Sequence, residues 1–338
     1  MNAASSPVVS VLLPFRDSED TLADAVYSIV NQSLEDWELL LIDDGSSGAS
    51  ADIAATLASG DSRIRLLANP GKPGIVGALQ VGTAQARGAF IARMDADDSS
   101  HPERLAAQLR HMRNDPSLGL CGAQVKVFGP AAGPGRRRYE RWLNGLEDHD
   151  AIVRDLFIEC PVAHPAFFMS RSALEHVGGY LDRGWPEDYD LVMRLWLAGY
   201  RISNVPRVLL HWRDEADRLS RTNPYYSEAA FRQVKLHYLS RTYLAEGRPF
   251  FQWGAGEVGK RWLRDWPAGM RPQAVVDVNP RKIGRRIHGF PVISPDDLPT
   301  PRECFAVAAV GAPDARETIR AWFSERNYRE TESYLFLA

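Results

Sequence analysis

The chain has 338 residues, 45% apolar and 25% charged, which is the make-up of a soluble globular protein long enough for one large or two ordinary domains. A formal net charge of -3 gives no electrostatic case for a nucleic-acid partner. The 3 cysteines, Cys121, Cys160 and Cys304, lie far apart, so they suggest neither a disulfide framework nor a zinc site, and they fit a reducing cytoplasm.

The short polar stretch Met1–Pro7 lacks the basic region of a secretory signal, and no apolar run approaches the roughly 20 residues that span a bilayer. The expectation is a cytoplasmic protein with at most peripheral contact at the inner face of the membrane. Val8–Leu13 reads as a buried strand ended by Pro14, and Leu22, Val26, Ile29 and Val30 follow at helical spacing, with Ser18 or Asp20 as N-cap. Glu38–Ile42 is a second buried strand, Asp52–Ser59 a short helix closed by Gly60, and Arg63–Leu67 a third strand. Ile75–Ala86 is helical and stops at Gly88, after which the strand Ala89–Met94 runs into Asp95-Ala96-Asp97-Asp98. This alternation implies a parallel sheet flanked by helices, with ligands outside the carboxyl ends of its strands. Phe15-Arg16-Asp17, Asp43-Asp44 and Asp95–Asp98 would meet at that edge. The acidic cluster alone fits a capped turn before the helix near Pro102. It also fits a site where oxygen ligands hold a hard divalent cation, and the convergence of the three loops favours a site.

Val9–Pro14, Leu39–Ser46 and Met94–Asp98 with His101-Pro102-Glu103-Arg104-Leu105 together resemble an inverting family-2 glycosyltransferase. The resemblance implies an α/β GT-A fold over residues 1–222, a nucleotide-sugar donor (a UDP-sugar by default) and Mn²⁺ or Mg²⁺. It implies that Asp44 hydrogen-bonds the donor base and that Asp95 and Asp97 form the DxD pair around Ala96. Asp97 then touches metal, Asp95 holds ribose or a metal-bound water, and Asp98 orients the pair. Pro14, Phe15 and Arg16 lie near the base; Phe15 and Arg16 stand where the family more often has a small residue and an aromatic. Lys72 and Gly74 belong to the loop that closes over the base, although a solvated lysine is the plainer reading of Lys72. The chemistry agrees, because a divalent cation stabilises the charge that gathers on a leaving diphosphate.

Glu103–Asn114 reads as an amphipathic helix and Leu118–Phe128 as a strand. Gly129–Gly135 reads as a linker before the basic run Arg136–Arg138, with Tyr139 and Trp142 close behind. That run is either a solvated face or a surface for an anionic acceptor or lipid headgroups. Within Glu159–Phe168, His164 is either an acceptor-positioning residue or a structural histidine. Trp185-Pro186-Glu187-Asp188-Tyr189-Asp190 opens a helix closed by Gly199, and it resembles the family's acidic dyad. The resemblance makes Asp188 the general base that takes the acceptor hydroxyl proton, with Glu187 orienting it and Trp185 on the acceptor side. After the strand Val208–Trp212, Asp214-Glu215 stand where the family often has a histidine. The resemblance then leaves His211 as the candidate third metal ligand, and Arg218 or Arg221 as a binder of diphosphate.

Tyr225–Glu246 reads as a helical linker over residues 223–247, followed by an accessory domain over 248–338. There Phe250–Trp253 enters Gly254-Ala255-Gly256-Glu257-Val258-Gly259, with Asp277 on the next strand, Ala274–Val278, at the usual place of a ribose-binding acid. Phe305–Val310 and a helix over Thr318–Arg326 complete a small Rossmann-like unit, similar to those attached to sugar acetyltransferases and methyltransferases. It serves either structure, docking and homodimerisation, or nucleotide binding through Gly254, Gly256, Gly259 and Asp277. The whole implies a non-processive hexosyltransferase acting on a glycan or lipid-linked glycan acceptor, with bacterial surface glycan biosynthesis as the family's commonest setting. A sugar nucleotidylyltransferase is the rival, but it needs a glycine-rich basic loop that Pro14–Asp20 does not supply. A non-catalytic nucleotide-binding regulator is the other.

Overall fold

The computed structural model describes residues 6–71, 73–216, 218–312 and 314–338, apart from the side chains of Leu219 and Ser220. The chain divides into two compact units, Met1–Ile152 with Pro161–Asn223, and Val153–Cys160 with Pro224–Ala338.

The first unit runs β1 (Val9–Phe15), α1 (Leu22–Val30), β2 (Trp37–Asp43), α2 (Ser50–Gly60), β3 (Ile64–Ala68), α3 (Ile75–Gln85), β4 (Phe90–Arg93) and β5 (Ser99–Ser100). It continues through α4 (Arg104–Asn114), β6 (Leu118–Phe128), α5 (Pro134–Asn144), α6 (His149–Asp155, whose end lies in the second unit), β7 (Phe168–Ser170), α7 (Arg171–His176), α8 (Glu187–Leu197), β8 (Arg201–Arg213) and α9 (Leu219–Thr222). An eight-stranded sheet has the order β3-β2-β1-β4-β7-β6-β8-β5. Strands β1 to β4 are parallel, and β7 and β5 run antiparallel to their neighbours. All of β1 is buried, and β2 is buried up to Asp43, which is why both read as unbroken apolar runs. At the amino end of these strands, buried Glu38 accepts from Ser10 Oγ at 2.7 Å and pairs with Arg87 and Arg65, leaving the carboxyl edge for other chemistry.

Three local expectations change. The N-cap of α1 is Thr21 rather than Ser18 or Asp20, with no side-chain cap; Ser18 contributes its carbonyl, which accepts from Leu22 N at 2.9 Å. The basic run does not follow a linker but lies in α5, whose first helical residue is Pro134, a position where a missing N–H costs nothing. Strand β8 starts seven residues before Val208, because it pairs in parallel with β6 along nearly its whole length, through register shifts at Ala123/Gln124 and Gln124/Val125.

The second unit contains α10 (Glu228–Leu239), β9 (Phe250–Trp253), α11 (Glu257–Asp265), β10 (Val275–Val276), β11 (Arg286–Ile287), β12 (Phe290–Ile293), β13 (Phe305–Ala308), α12 (Ala315–Glu325) and β14 (Tyr334–Phe336). Its six-stranded sheet has the order β11-β12-β10-β9-β13-β14 and is parallel except at β11. Helix α10 is shorter than the Tyr225–Glu246 stretch and packs as part of this unit. So does 153–160. Buried Asp155 accepts from Arg320 at 2.8 Å, and buried Lys235 donates to Ile158 O at 2.7 Å and Leu337 O at 3.1 Å.

Candidate active site

The carboxyl ends of β1, β2 and β4 carry polar loops knitted to one another. Asp17, held at φ 46, accepts from Ser47 N at 2.7 Å, and its own N–H donates to Ser46 Oγ at 3.2 Å. Gly45, at φ 83, turns the chain after Asp44. Asp44 is buried and accepts from Asn69 Nδ2 at 2.6 Å and from Gly74 N at 2.7 Å, one bond to each oxygen, which leaves each a further acceptor site. Pro14 and Phe15 end β1 as buried residues, whereas the Arg16 side chain is 54% exposed beside Asp17. Lys72 lies outside the described residues.

Beyond β4, ligand oxygens of Asp95, Asp97 and Asp98 all lie within 4.8 Å of one another. Ala96, between the first two, is buried. Burial, and then the Asp95 charge, lift the Asp97 carboxyl to about 6. Burial, with Asp95 and Asp97 nearby, pushes Asp98 well above the usual carboxylate range. Asp98 is 2% exposed; its Oδ1 accepts from Arg213 N at 2.8 Å, and its Oδ2 has no partner among the described residues. The Arg213 guanidinium returns to the same loop, donating from Nε to Asp97 O at 3.1 Å.

Beneath the acids lie two buried arginines. Arg93, the last residue of β4, is 4% exposed; its Nη1 faces the Asp95 carboxylate, and its Nε has no hydrogen-bond partner among the described residues. Arg104 is fully buried, donates to Arg93 O and to Gln108 Oε1, and is lowered to about 10 by burial. Gln108 in turn donates to Ala166 O at 2.8 Å, so the floor of the acidic loop is tied to the His164 segment.

On the other side, α8 starts at Glu187 behind Pro186. Asp190, fully buried, receives Arg194 Nε at 2.7 Å and Trp185 Nε1 at 3.1 Å, so Trp185 braces the start of the helix through its indole N–H. Glu187 points into the protein, its carboxylate 3.5 Å from His164 Nδ1, and His164 Nε2 lies 3.2 Å from Tyr180 Oη. Tyr180 follows Gly178 and Gly179, which both hold positive φ (85 and 69) and turn the chain under His164. Burial, then the Arg93 charge, press His164 well below its ordinary value, so it is a neutral ring. Asp188 is half-buried, and its Oδ1 accepts from Tyr189 N at 2.7 Å. Burial raises its carboxyl to about 6, and it feels the charges of both Arg93 and Asp95.

The end of β8 carries an arginine cluster. Buried Asp214 receives Arg221 Nη2 at 2.9 Å and Arg218 Nη1 at 3.3 Å, with Arg136 Nε at 3.8 Å, so a carboxylate gathering arginines stands in place of the expected histidine. Arg136 and Arg218 lie over the Trp212 ring at 4.1 Å and 4.8 Å. Arg136 is thus neither a solvated charge nor a surface residue, while Arg137 and Arg138 are exposed. The Arg218 charge reaches Asp97 and Asp98. His211 is exposed and is not among the clustered carboxylates, because it alternates with buried Trp212 along β8. A cavity of about 520 Å³ opens beside the acids, lined by Asp97, Asp98, Arg213, Phe128 and residues of α1 such as Asp24 and Tyr27.

The family model for glycosyl transferase family 2 matches residues 10–178. The chain belongs to that family. It is a glycosyltransferase, and its relatives agree. EpsE of Bacillus subtilis (strain 168) is 30% identical over 253 residues, 72% of this chain and 88% of its own. The amylovoran biosynthesis glycosyltransferase AmsE of Erwinia amylovora is 27% identical over 72% of this chain and 90% of its own. The bifunctional glycosyltransferase pgtA of Dictyostelium discoideum is 27% identical over 70% of this chain, which spans only 36% of that protein. Among solved structures, Staphylococcus aureus TarS 1-349 in complex with UDP-GlcNAc superposes with a TM-score of 0.56 at 16% identity, covering 70% of this chain and 68% of its own. The mannosyltransferase PcManGT from Pyrobaculum calidifontis, in complex with GDP-Man and Mn²⁺, gives 0.52 at 18% identity over 72% and 66%. The fold of this family-2 enzyme is therefore GT-A, and family membership sets nucleotidyl transfer aside.

Sequence reasoning gives Tyr180 and Arg213 no part in the site, and it does not join Arg93, Arg136 and Asp214 to the acids by contact. Arg93 had a signal: a cation closing an apolar buried strand next to an acidic cluster. Tyr180 had a weaker one, the two preceding glycines.

Proposed function

We propose that the enzyme transfers a sugar from a nucleotide-sugar donor to a hydroxyl of a glycan acceptor, with inversion, in polysaccharide biosynthesis. The observation that carries this reading is the arrangement of two acidic groups about one buried guanidinium. Arg93 pairs with Asp95, and its charge also acts on Asp188 and His164. A donor-side and an acceptor-side carboxylate thus share one electrostatic centre.

The Asp95/Asp97/Asp98 set fits a hard divalent cation, with clustered oxygens and one buried, unpartnered carboxylate oxygen on Asp98. Asp95 and Asp97 would hold Mn²⁺ or Mg²⁺, which supplies Lewis-acid stabilisation to a leaving diphosphate. The protein's own residues do the rest. Asp44 takes the base, and Arg218 and Arg221 neutralise diphosphate oxygens from the Asp214 cluster. Asp188 accepts the hydroxyl proton on Oδ2, since Oδ1 is engaged by Tyr189 N. The acceptor oxygen bonds to C1 from the face opposite the nucleotide as the C1–O bond to diphosphate breaks. Glu187 and neutral His164 position the acceptor side from below.

The test is Asp188→Asn, assayed with a panel of UDP- and GDP-sugars identified first by metal-dependent thermal shift. Donor binding should persist while turnover falls at least about 10²-fold. Wild-type turnover in this variant would overturn the assignment of the base.

A further inference from the structure

At the carboxyl ends of β9, β10 and β13 the second unit encloses a cavity of about 650 Å³, lined by second-unit residues alone. Its size is that of a small-molecule pocket, about 300–1,000 Å³, and its place is where parallel strands present their ligands. The walls are apolar: Val258, Val310, Trp322 and Val278, the last 71% exposed. Its polar side chains are few: Lys282, Asp277, Thr318 and Glu257, the last 77% exposed and paired with Arg261 Nη2 at 3.6 Å.

The three glycines of the Gly254–Gly259 loop are not equivalent. Gly254 holds φ +107, and a Cβ there would lie 2.7 Å from Val310 Cγ2 and 2.8 Å from Ala309 O. A Cβ on Gly259 would overlap Gly254 O. The fold requires glycine at both. Gly256 has an ordinary extended backbone, and a Cβ there would meet nothing within 4 Å. The fold does not need glycine at 256, yet this residue is the N-cap of α11 and offers no side-chain cap. Its bareness leaves the main-chain N–H groups of the first turn open to the cavity.

Asp277 is engaged by three donors of its own unit. Its Oδ2 accepts from Ala255 N at 3.0 Å and Lys282 Nζ at 2.9 Å, and its Oδ1 accepts from Asn279 N at 2.8 Å. It buttresses the glycine loop and fixes Lys282, whose ammonium has a further N–H beyond those given to Asp277 and Ala255 O. Cation, open amides and apolar wall line one cavity. We propose that this cavity is a second ligand site that takes a nucleotide. Phosphate sits against the first turn of α11 beside Lys282, and the base lies against the Trp322 and Val310 wall. The nucleotide is either an adenine nucleotide or the uridine diphosphate released by transfer, and the same cradle serves both. The inference does not depend on the donor site of the first unit.

The experiment is calorimetric titration of the full chain in EDTA with ADP, UDP and NAD⁺, on the wild type and on Gly256→Asp, Lys282→Met and Asp97→Asn. Aspartate is a favoured N-cap, so Gly256→Asp should melt no lower than wild type while its carboxylate fills the amide cradle. The expected result is one nucleotide bound per chain, equally in Asp97→Asn. Binding should weaken about tenfold in Lys282→Met, the loss of one charged hydrogen bond, and more in Gly256→Asp. Preference for ADP or NAD⁺ over UDP, or the reverse, identifies the source. No binding up to about 1 mM, binding indifferent to Gly256→Asp and Lys282→Met, or binding lost in Asp97→Asn would each overturn the proposal.

Discussion

Asp98 accepts the main-chain N–H of Arg213 at 2.8 Å, joining the acidic loop to the end of a strand 115 residues later. The two neighbouring aspartates therefore have different work: Asp97 is held between Asp95 and the arginines, and Asp98 clamps β8. Asp98→Asn keeps an acceptor for Arg213 N and should fold like wild type. Asp98→Ala leaves that N–H without its acceptor, which costs about 1–3 kcal/mol and lowers the melting temperature by several degrees. Asp97→Asn should melt normally and lose about 10²-fold in transfer rate, the scale of a lost transition-state charge contact. Thermal melts alongside transfer assays over a manganese titration separate the two.

Burial lifts Asp188 to about 6, and its unfolded value lies near 3.8. Between those values the folded state binds more protons than the unfolded one, so this carboxyl's contribution to stability is present below about pH 4 and is lost as pH rises through 6. Asp188→Asn removes an ionised, partly buried group at neutral pH and should raise the melting temperature at pH 8 by about 2–4 °C. Catalysis runs the other way, because the base must be ionised. With cation saturating, kcat/KM should climb through pH 5–6 by about tenfold per unit and level off above about 6. A flat profile over that range would remove Asp188 from the role.

The basic run of α5 splits in two. Arg136 is stacked on Trp212 at 4.1 Å and near Asp214, while Arg137 and Arg138 face outward. Arg136→Gln should weaken nucleotide-sugar binding several-fold and lower stability. Arg137→Gln and Arg138→Gln should change neither by more than about 0.5 kcal/mol. Donor affinity at two salt concentrations checks this, since only loss of the inner charge should reduce the salt dependence.

Burial presses Lys235 down to about 8 within the second unit, where it donates to Ile158 O and Leu337 O. Its unfolded value is the higher one, so the unfolded chain holds the extra proton above about pH 8, and the second unit should become more stable as pH rises from 8 toward 10. Lys235→Met abolishes that rise and strips two buried carbonyls of their donor. Melting followed by tryptophan fluorescence reports on it, because Trp253, Trp262, Trp266 and Trp322 all lie in this unit.

The strands of the first unit were legible because burial on both faces writes itself as continuous apolar sequence, as in Val9–Leu13 and Leu39–Ile42. The acids were legible because three carboxylates in four positions are costly without a purpose. The supports were not. Trp185 read as an acceptor contact, but its indole N–H is spent on Asp190, a pairing that depends on how α8 begins. Asp214 read as a missing histidine, and only the fold shows it gathering arginines from α5 and from beyond β8. The segment 153–160 carried no sign of belonging to the later unit, since Asp155 and Ile158 find Arg320 and Lys235 only at long range.

That segment has a consequence for synthesis. The boundary between units is crossed at 152/153, 160/161 and 223/224, so the second unit is discontinuous in sequence. A chain emerging from the ribosome must complete 161–223 while residues 153–160 still wait for partners not yet made. Domains generally fold in the order they are made; here the second cannot close around 153–160 until Arg320 has been made. A fragment starting at Pro224 would lack its Asp155 anchor for Arg320, and truncation of the final residues would take away an acceptor of Lys235.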